Sequence, residues 1–182
     1  GGGNGGMSIT GSGALFNSKN FSVSVGGKGS IGGTAGIVTA TNTGNIVTKG
    51  HSSKAILAQS IGGGGGNGGA AYAFGANAIS TESSWTVTAS IGGAGGQGNT
   101  SQTVTVTNNG ILVTEGSYSQ AILAQSIGGG GGNGGLSLTG VLNTDGIGKF
   151  GKSNTVNIAV GGMGGTGNSS EVVTVNQIGD IW

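Results

Sequence analysis

The sequence predicts an all-β fold, a parallel β-solenoid with glycine-rich turns and protruding loops, and three observations lead to it. Glycine contributes 47 of the 182 residues, and because each glycine in a helix interior costs about 1 kcal/mol relative to alanine, a helical protein is excluded. Short segments alternate apolar and polar residues with a period of two, as half-buried strands do. A fifteen-residue string occurs twice, which indicates stacked repeats.

The repeat is long. AILAQSIGGGGGNGG stands at 55–69 and, unchanged, at 121–135, a shift of 66, and the opening GGGNGG matches 64–69 at a shift of 63. The chain therefore holds two full repeats and most of a third, starting at Gly1, Gly64 and Gly130. Since neither end resembles the polar cap of a finished repeat array, we interpret residues 1–182 as one continuous segment of a longer array.

Each repeat contains the same elements in the same order. First comes an alternating segment, FSVSV at 21–25, WTVTA at 85–89 and TVNIAV at 155–160, with apolar residues on one face and Ser, Thr and Asn on the other. A glycine patch, a second alternating segment, a turn and a third short strand follow. The second segments are 37–44, 103–110 and 172–179, and the third strands are 45–50, 111–116 and 180–182.

The spacing of these strands suggests the size of one coil. Two of the steps between them are about 16–18 residues, which suits one coil of two or three short strands, and eight to ten such coils would stack about 4.8 Å apart. The remaining step of about 31–34 residues is either one coil with a protruding loop or two coils. The varied sequences at 70–84 and 136–153 favour an insertion that stands off the main body.

The segment AILAQSI and the glycines after it leave two questions open. Ile56, Ala58 and Ser60 form one face and Leu57, Gln59 and Ile61 the other, and both are largely apolar, which suggests a strand covered on both sides. The repeated Gln59 and Gln125 suggest a buried glutamine ladder. The five-glycine runs either pack as extended, polyproline II-like segments or form flexible loops.

Composition and motifs give no support for catalysis, cofactor binding or metal binding. There is no cysteine for a disulfide or zinc site, and a net charge of +1 gives no basic patch for nucleic acid. Residues 146–153 fit the phosphate-binding pattern G-x-x-x-x-G-K-[ST], but a strand-like sequence follows instead of the required helix. The glycine patches at 92–99 and 161–168 lack the aspartate of calcium-binding nonapeptides.

The remaining polar residues also argue against an enzyme. His51 lies in a turn, and the five acidic residues are dispersed, whereas a glycosidase needs two facing carboxylates. The Thr-rich strands could form ladders similar to ice-binding surfaces, but threonine also simply suits an exposed strand face. We therefore expect a non-enzymatic protein with no catalytic, cofactor or metal site.

The strings from VTVTNNG to AILAQSIGGGGGNGG at 104–135 resemble the passenger regions of bacterial autotransporters and large glycine-rich surface adhesins. The similarity runs along the whole chain and is densest at 37–69 and 103–135. It implies a right-handed parallel β-helix and an extracellular or bacterial cell-surface location. It also implies secretion through an outer membrane, with a C-terminal β-barrel, absent from this sequence, as the only link to the membrane.

The function expected from these observations is structural. Stacked coils would form the rod of a secreted surface protein, a stalk or an extracellular fibre, and low charge would permit end-to-end or lateral self-association. The alternative is an adhesin module that binds glycans or host surfaces through the loops 70–84 and 136–153. Tyr72, Phe74, Lys149 and Phe150 are the candidate contact residues of those loops.

Overall fold

The computed structural model describes residues 1–14, 19–78, 84–144 and 153–182. In these residues the regular structure is entirely β, with thirteen strands and no helix. The candidate contacts Lys149 and Phe150 lie outside the described residues, as does most of the phosphate-loop pattern at 146–153. The strands are β1 (Ser8–Ala14), β2 (Lys19–Val25), β3 (Val38–Asn42), β4 (Ile46–Thr48), β5 (Lys54–Ile61), β6 (Ala71–Ala78), β7 (Ser84–Ile91), β8 (Val104–Asn108), β9 (Leu112–Thr114), β10 (Gln120–Ile127), β11 (Ser137–Thr144), β12 (Ser153–Val160) and β13 (Val173–Gln177).

Every strand pairs in parallel with the equivalent strand of a neighbouring repeat. Three sheets have three strands, in the orders β1-β6-β11, β2-β7-β12 and β3-β8-β13, and two have two strands, β4-β9 and β5-β10. The register brings identical residues together, as where Gln59 lies opposite Gln125 and Thr39 opposite Thr105. The predicted all-β fold with parallel strands is confirmed.

The predicted coil length of about 18 residues is wrong. Segment FSVSV, in β2, pairs with WTVTA of β7, and Val23 lies opposite Ala89; it does not pair with β3, the next strand along the chain. The pairing period is thus the whole repeat, and the largest sheets contain three strands instead of eight to ten. The physical reason is that β2 buries serines where β3 half-buries valine and alanine, so these two strands cannot share a sheet face.

The chain folds into two compact units, and each unit takes a part of all three repeats. Unit 1 comprises Gly1–Ile31, Gly65–Gln97 and Gly131–Thr166, and unit 2 comprises Gly32–Gly64, Gly98–Gly130 and Gly167–Trp182. Unit 1 contains the sheets β1-β6-β11 and β2-β7-β12, and unit 2 contains the other three. The apolar core of unit 2 is formed by Ala58, Val104 and Val106, with Val38 and Ile122 among the residues packed on it.

The described parts of the segments 70–84 and 136–153 are strands and not insertions that stand off the fold, and residues 79–83 and 145–152 lie outside the described residues. Each contributes a strand to unit 1, β6 and β11, and begins another, β7 and β12. Strand β6 is the central strand of its sheet, paired with β1 on one side and β11 on the other. The sequences of these strands differ between repeats, and the inner residues of β6 are small (Ala71, Ala73 and Gly75), so no apolar alternation marks them as strands.

Strand β5 answers the question about AILAQSI. Ala58 and Ser60 are buried, whereas Leu57 and Ile61 are each 54% exposed, so the expectation that both faces are covered is wrong. The glutamine ladder exists, with the Gln59 side-chain amide donating to Gln125 Oε1 at 2.6 Å, but it lies on the exposed face.

Candidate functional site

The glycine-rich segments are hydrogen-bonded to one another. In unit 1, Gly27 N donates to Gly6 O at 2.8 Å, Gly69 N to Gly27 O at 2.7 Å, and Gly93 N to Gly69 O at 2.9 Å. The ladder continues from Gly93 through Gly135 to Gly162. A second ladder, three residues away along each segment, joins residues 3, 30, 66, 96, 132 and 165. Segments from the two glycine patches of each repeat therefore alternate along both ladders.

Unit 2 contains the same arrangement. Gly63 N donates to Gly33 O at 2.8 Å, Asn99 N to Gly63 O at 3.0 Å, and Gly129 N to Asn99 O at 2.8 Å. Along a segment the ladder positions recur every third residue, as at Gly63, Gly66 and Gly69, which is the residue period of a polyproline II helix. The geometry supports the packed alternative for the five-glycine runs over the flexible loop. We call the segments 1–6, 26–33, 62–69, 92–99, 128–135 and 161–168 the glycine array.

The glycines are needed for close approach of backbones. A Cβ at Gly66 would lie 2.0 Å from Gly3 O, one at Gly93 would lie 1.9 Å from Gly27 O, and one at Gly132 would lie 2.0 Å from Gly66 O. Such contacts are far shorter than van der Waals separation. No glycine among the described residues has a positive φ, so the array uses glycine for its missing side chain and not for its unusual dihedral angles.

The non-glycine residues of the glycine array occupy outward positions. Lys28, Ile31 and Asn67 are exposed; Lys28 and Asn67 each follow two glycines, and Ile31 follows Gly29 and Ser30. The asparagines form a ladder of their own, in which Asn67 N donates to Asn4 Oδ1 at 2.9 Å and Asn133 N to Asn67 Oδ1 at 2.8 Å. The recurring G-G-x triplets of the sequence thus place two glycines toward neighbouring segments and one variable residue outward.

The β2-β7-β12 sheet of unit 1 has a polar inner face and an apolar outer face. In β7, Thr86, Thr88 and Ser90 are fully buried, whereas Trp85 is 47% exposed and Ile91 is 46% exposed. Strand β2 repeats the pattern with buried Ser22 and Ser24 and exposed valines. The facing strand β6 buries only small residues, Ala71, Ala73, Gly75 and Asn77.

Hydrogen bonds between the two sheets of unit 1 satisfy several of the buried polar groups, whereas the Ser12 and Ser22 hydroxyls and Asn143 Oδ1 have no hydrogen-bond partner among the described residues. The Asn20 amide donates to Asn77 Oδ1, and the Asn77 amide donates to Thr86 Oγ1. Ser90 Oγ lies 2.6 Å from Ser137 Oγ, and Ser24 Oγ donates to Ser8 O at 2.9 Å. These contacts were not predicted; the signal that could have revealed them is the small size, not the polarity, of alternate residues in AYAFGANA.

The predicted contact residues Tyr72 and Phe74 lie in strand β6 and not in a loop. Phe74 is 45% exposed on the outer face of its sheet, and a Cβ at Gly140 would lie 3.0 Å from its ring. Its ring therefore leans toward β11. An open groove of about 570 Å³ runs over this face and is lined by Gly11, Ser12, Phe74, Gly75, Ala76, Gly140, Val141 and Leu142.

Polar side chains elsewhere form no recognisable catalytic set in the described part of the chain. The His51 ring lies 5.4 Å from that of Tyr118, with Nδ1 2.9 Å from Ser52 Oγ, and Lys49 pairs with Glu115 at 4.0 Å on the exposed surface. Within residues 1–14, 19–78, 84–144 and 153–182, no three His, Cys, Asp or Glu side chains converge on a metal position. In those same ranges there is no helix of the length and apolar character needed to cross a membrane.

Comparison with known proteins identifies no relative. No protein family, no curated protein and no solved structure matches the chain. The similarity to autotransporter passengers therefore stays a prediction, and the functional argument depends on the glycine array and the sheet faces.

Proposed function

We propose that this chain is a segment of parallel β-solenoid that serves as the structural rod of a secreted bacterial surface protein, either a stalk or an extracellular fibre. The glycine array is the observation that carries the proposal. It converts the most flexible residue type into backbone-bonded layers that recur with every repeat.

The mechanism is cumulative. Each repeat adds one strand to each sheet, one member to the Asn42–Asn108–Gln177 side-chain series and one pair of segments to the glycine array. Because each layer repeats the hydrogen bonds of the layer before it, a force along the stack would be distributed over many weak interactions. The outer edges of the first and last strands expose backbone groups that can template further strands, which would give end-to-end association.

Amide exchange tests the glycine array directly. We expect slow exchange for Gly63, Gly66 and Gly69, whose N–H groups donate to carbonyls at 2.7–2.9 Å, and fast exchange for Gly64 and Gly65, for which the described residues supply no backbone acceptor. Two-dimensional NMR of the intact chain would separate these glycines. Uniformly rapid exchange across 62–69 would remove the basis of the proposal.

End-to-end association has its own test. Val160 O accepts from Gly92 N at 2.8 Å, so the preceding residue Ala159 points its N–H away from β7, because successive residues of a strand alternate in direction. Ala159→Pro should leave β12 in place and block its free edge. Electron microscopy should show elongated assemblies for the natural chain and short particles for the variant. Short, non-associating particles for both would count against a fibre, though not against a stalk.

The groove beside Phe74 favours a second candidate function, an adhesin module that binds glycans or host surfaces. A concave, largely apolar surface with one exposed aromatic ring can accept the apolar face of a sugar. We expect Phe74→Ala to abolish binding on a glycan array if this function is correct. Leu57→Ala, at an exposed position of β5, serves as the control, and equal binding by both variants would argue against the groove.

A further inference from the structure

The outer face of the β2-β7-β12 sheet is an ordered apolar surface. Pairing aligns Phe21 with Val87 and Val156, Val23 with Ala89 and Ile158, and Val25 with Ile91 and Val160. A fourth row, at one end of the face, consists of Lys19, Trp85 and Asn154. We call these outward side chains the β2-β7-β12 face. The three rows that contain Phe21, Val23 and Val25 have no polar or charged residue.

The β2-β7-β12 face is large enough for a specific interface. Its eight large apolar side chains are 41–70% exposed, and with about 150–250 Å² for each of the two aromatic side chains and about 60–120 Å² for each Val or Ile this amounts to roughly 500 Å². Two such faces would bury about 1,000 Å² in total, which reaches the lower bound of a specific interface. Exposed apolar patches of this size are typical of association sites. The eight residues are Phe21, Val23, Val25, Trp85, Ile91, Val156, Ile158 and Val160.

The face combines an exposed ring with a small residue. Phe21 is the most exposed of the eight, at 70%, and Ala89 places a small side chain between Val23 and Ile158 in the next row. An exposed ring and a small residue thus lie on one surface, which is the requirement for a self-complementary contact around a two-fold axis. Sheets that pack face to face interdigitate such side chains at about 10 Å separation.

We propose that two copies of this chain associate laterally, with the β2-β7-β12 face of one packed against the same face of the other. The inference deepens the structural function proposed above and rests on it. It specifies a lateral contact through side chains, which is separate from the end-to-end contact through strand edges. Each additional repeat would add one strand to this sheet and so widen the interface.

The test compares two lysine substitutions by sedimentation velocity. Ile158→Lys places a charge on the face in the middle of β12, opposite Ala89 and at a residue 50% exposed, and Leu57→Lys places one on the outer face of β5, at a residue 54% exposed. In the Ala159→Pro background, in which end-to-end assembly is blocked, we expect a dimer both without a further substitution and with Leu57→Lys. For Ile158→Lys we expect the dissociation constant of the dimer to rise roughly 100-fold or more, because the interface would have to bury an unpaired charge.

Two further arms separate the alternatives. Ile158→Thr retains a β-branched residue and should also weaken the dimer. It replaces Ile158→Lys in the test if circular dichroism shows that the lysine variant does not fold. In the Ala159→Pro background the lateral dimer should persist without end-to-end assemblies, so failure of one contact is distinguishable from failure of the other. A natural chain that is monomeric, one whose dimer resists Ile158→Lys, or one that instead floats with phosphatidylcholine vesicles would overturn the proposal.

Discussion

The five glycines at 62–66 occupy two kinds of position. A Cβ added at Gly66 would meet Gly3 O at 2.0 Å, whereas one added at Gly64 would have Gly130 O, at 3.6 Å, as its nearest neighbour. Both residues have ordinary φ values. The same amino acid is therefore required at one site by backbone contact and is replaceable two residues earlier.

This difference predicts opposite effects of one substitution. Gly66→Ala should destabilise the chain by about 2–4 kcal/mol, because the methyl group forces apart two backbones and weakens their hydrogen bonds. Gly64→Ala should be neutral or stabilise by up to about 1 kcal/mol through the reduced entropy of the unfolded chain. Urea denaturation followed by circular dichroism measures both. Similar losses at the two positions would show that the glycine array does not pack as described.

Part of this arrangement can be predicted from the sequence. The identical glycine string in two repeats indicates a packed segment, and the G-G-x triplets have the period of the hydrogen-bonded ladders. What cannot be predicted is the neighbour of each glycine. Gly66 bonds to Ser30 and Gly96, which lie in different repeats, and no local pattern relates those three positions.

At the scale of the strand, β5 separates two polar residues that are adjacent in sequence. Ser60 is buried, donates to Gly36 O at 3.0 Å and accepts from Gln102 N at 2.8 Å. Gln59 points outward and bonds to Gln125. Ser60 therefore ties β5 to the segments that follow the glycine array in two successive repeats.

We expect these neighbours to differ in their contribution to stability. Ser60→Ala should cost about 1–3 kcal/mol, because it removes two hydrogen bonds of a buried hydroxyl, each worth about 0.5–1.5 kcal/mol. Gln59→Ala should cost about 0.5 kcal/mol, within the range of an exposed hydrogen bond. Thermal and urea unfolding of the two variants provide the comparison. A larger loss for Gln59→Ala would place the glutamine ladder, and not Ser60, in the interior.

The inverted polarity of unit 1 is a second property of strands. Alternation predicts a strand, but its period of two does not say which face points inward. In β8 the valines are buried, and in β7 the threonines are. The choice depends on the facing sheet: β6 presents Ala71, Ala73 and Gly75, and small hydroxyl side chains fit against them, whereas Trp85 does not.

Thr86 tests this inversion. Thr86→Val keeps the shape of the side chain but removes the hydroxyl that accepts from Asn77, so we expect a loss of about 1–3 kcal/mol from a residue that is fully buried. Thr39→Val, at an exposed position of β3, should change stability by less than about 0.5 kcal/mol. If Thr86→Val proved stabilising, an apolar interior between these sheets would be indicated.

For the whole molecule, the important quantity is the register. Identical or similar residues face each other across 66 positions in Gln59–Gln125 and Asn42–Asn108, and across 63 in Asn4–Asn67. The sequence repeat predicts these shifts, yet the coil length inferred from strand spacing was too short, because strands 18 residues apart look alike in pattern. Only their opposite burial, seen in β2 and β3, assigns them to different sheets.

A register of one repeat predicts what an additional repeat should do. Insertion of a second copy of residues 64–129 after position 129 should add one strand to each sheet and extend the glycine array in both units, because each layer contacts mainly its neighbours. The slope of the free energy of unfolding against denaturant concentration should increase, because the longer chain buries more surface. The free energy of unfolding itself should rise by several kcal/mol through the added nearest-neighbour contacts. A scrambled insert of the same composition keeps the glycine content but loses the G-G-x spacing and the alternation. If the natural and scrambled inserts both produced a separate, low-stability transition, the repeats would not stack as equivalent layers.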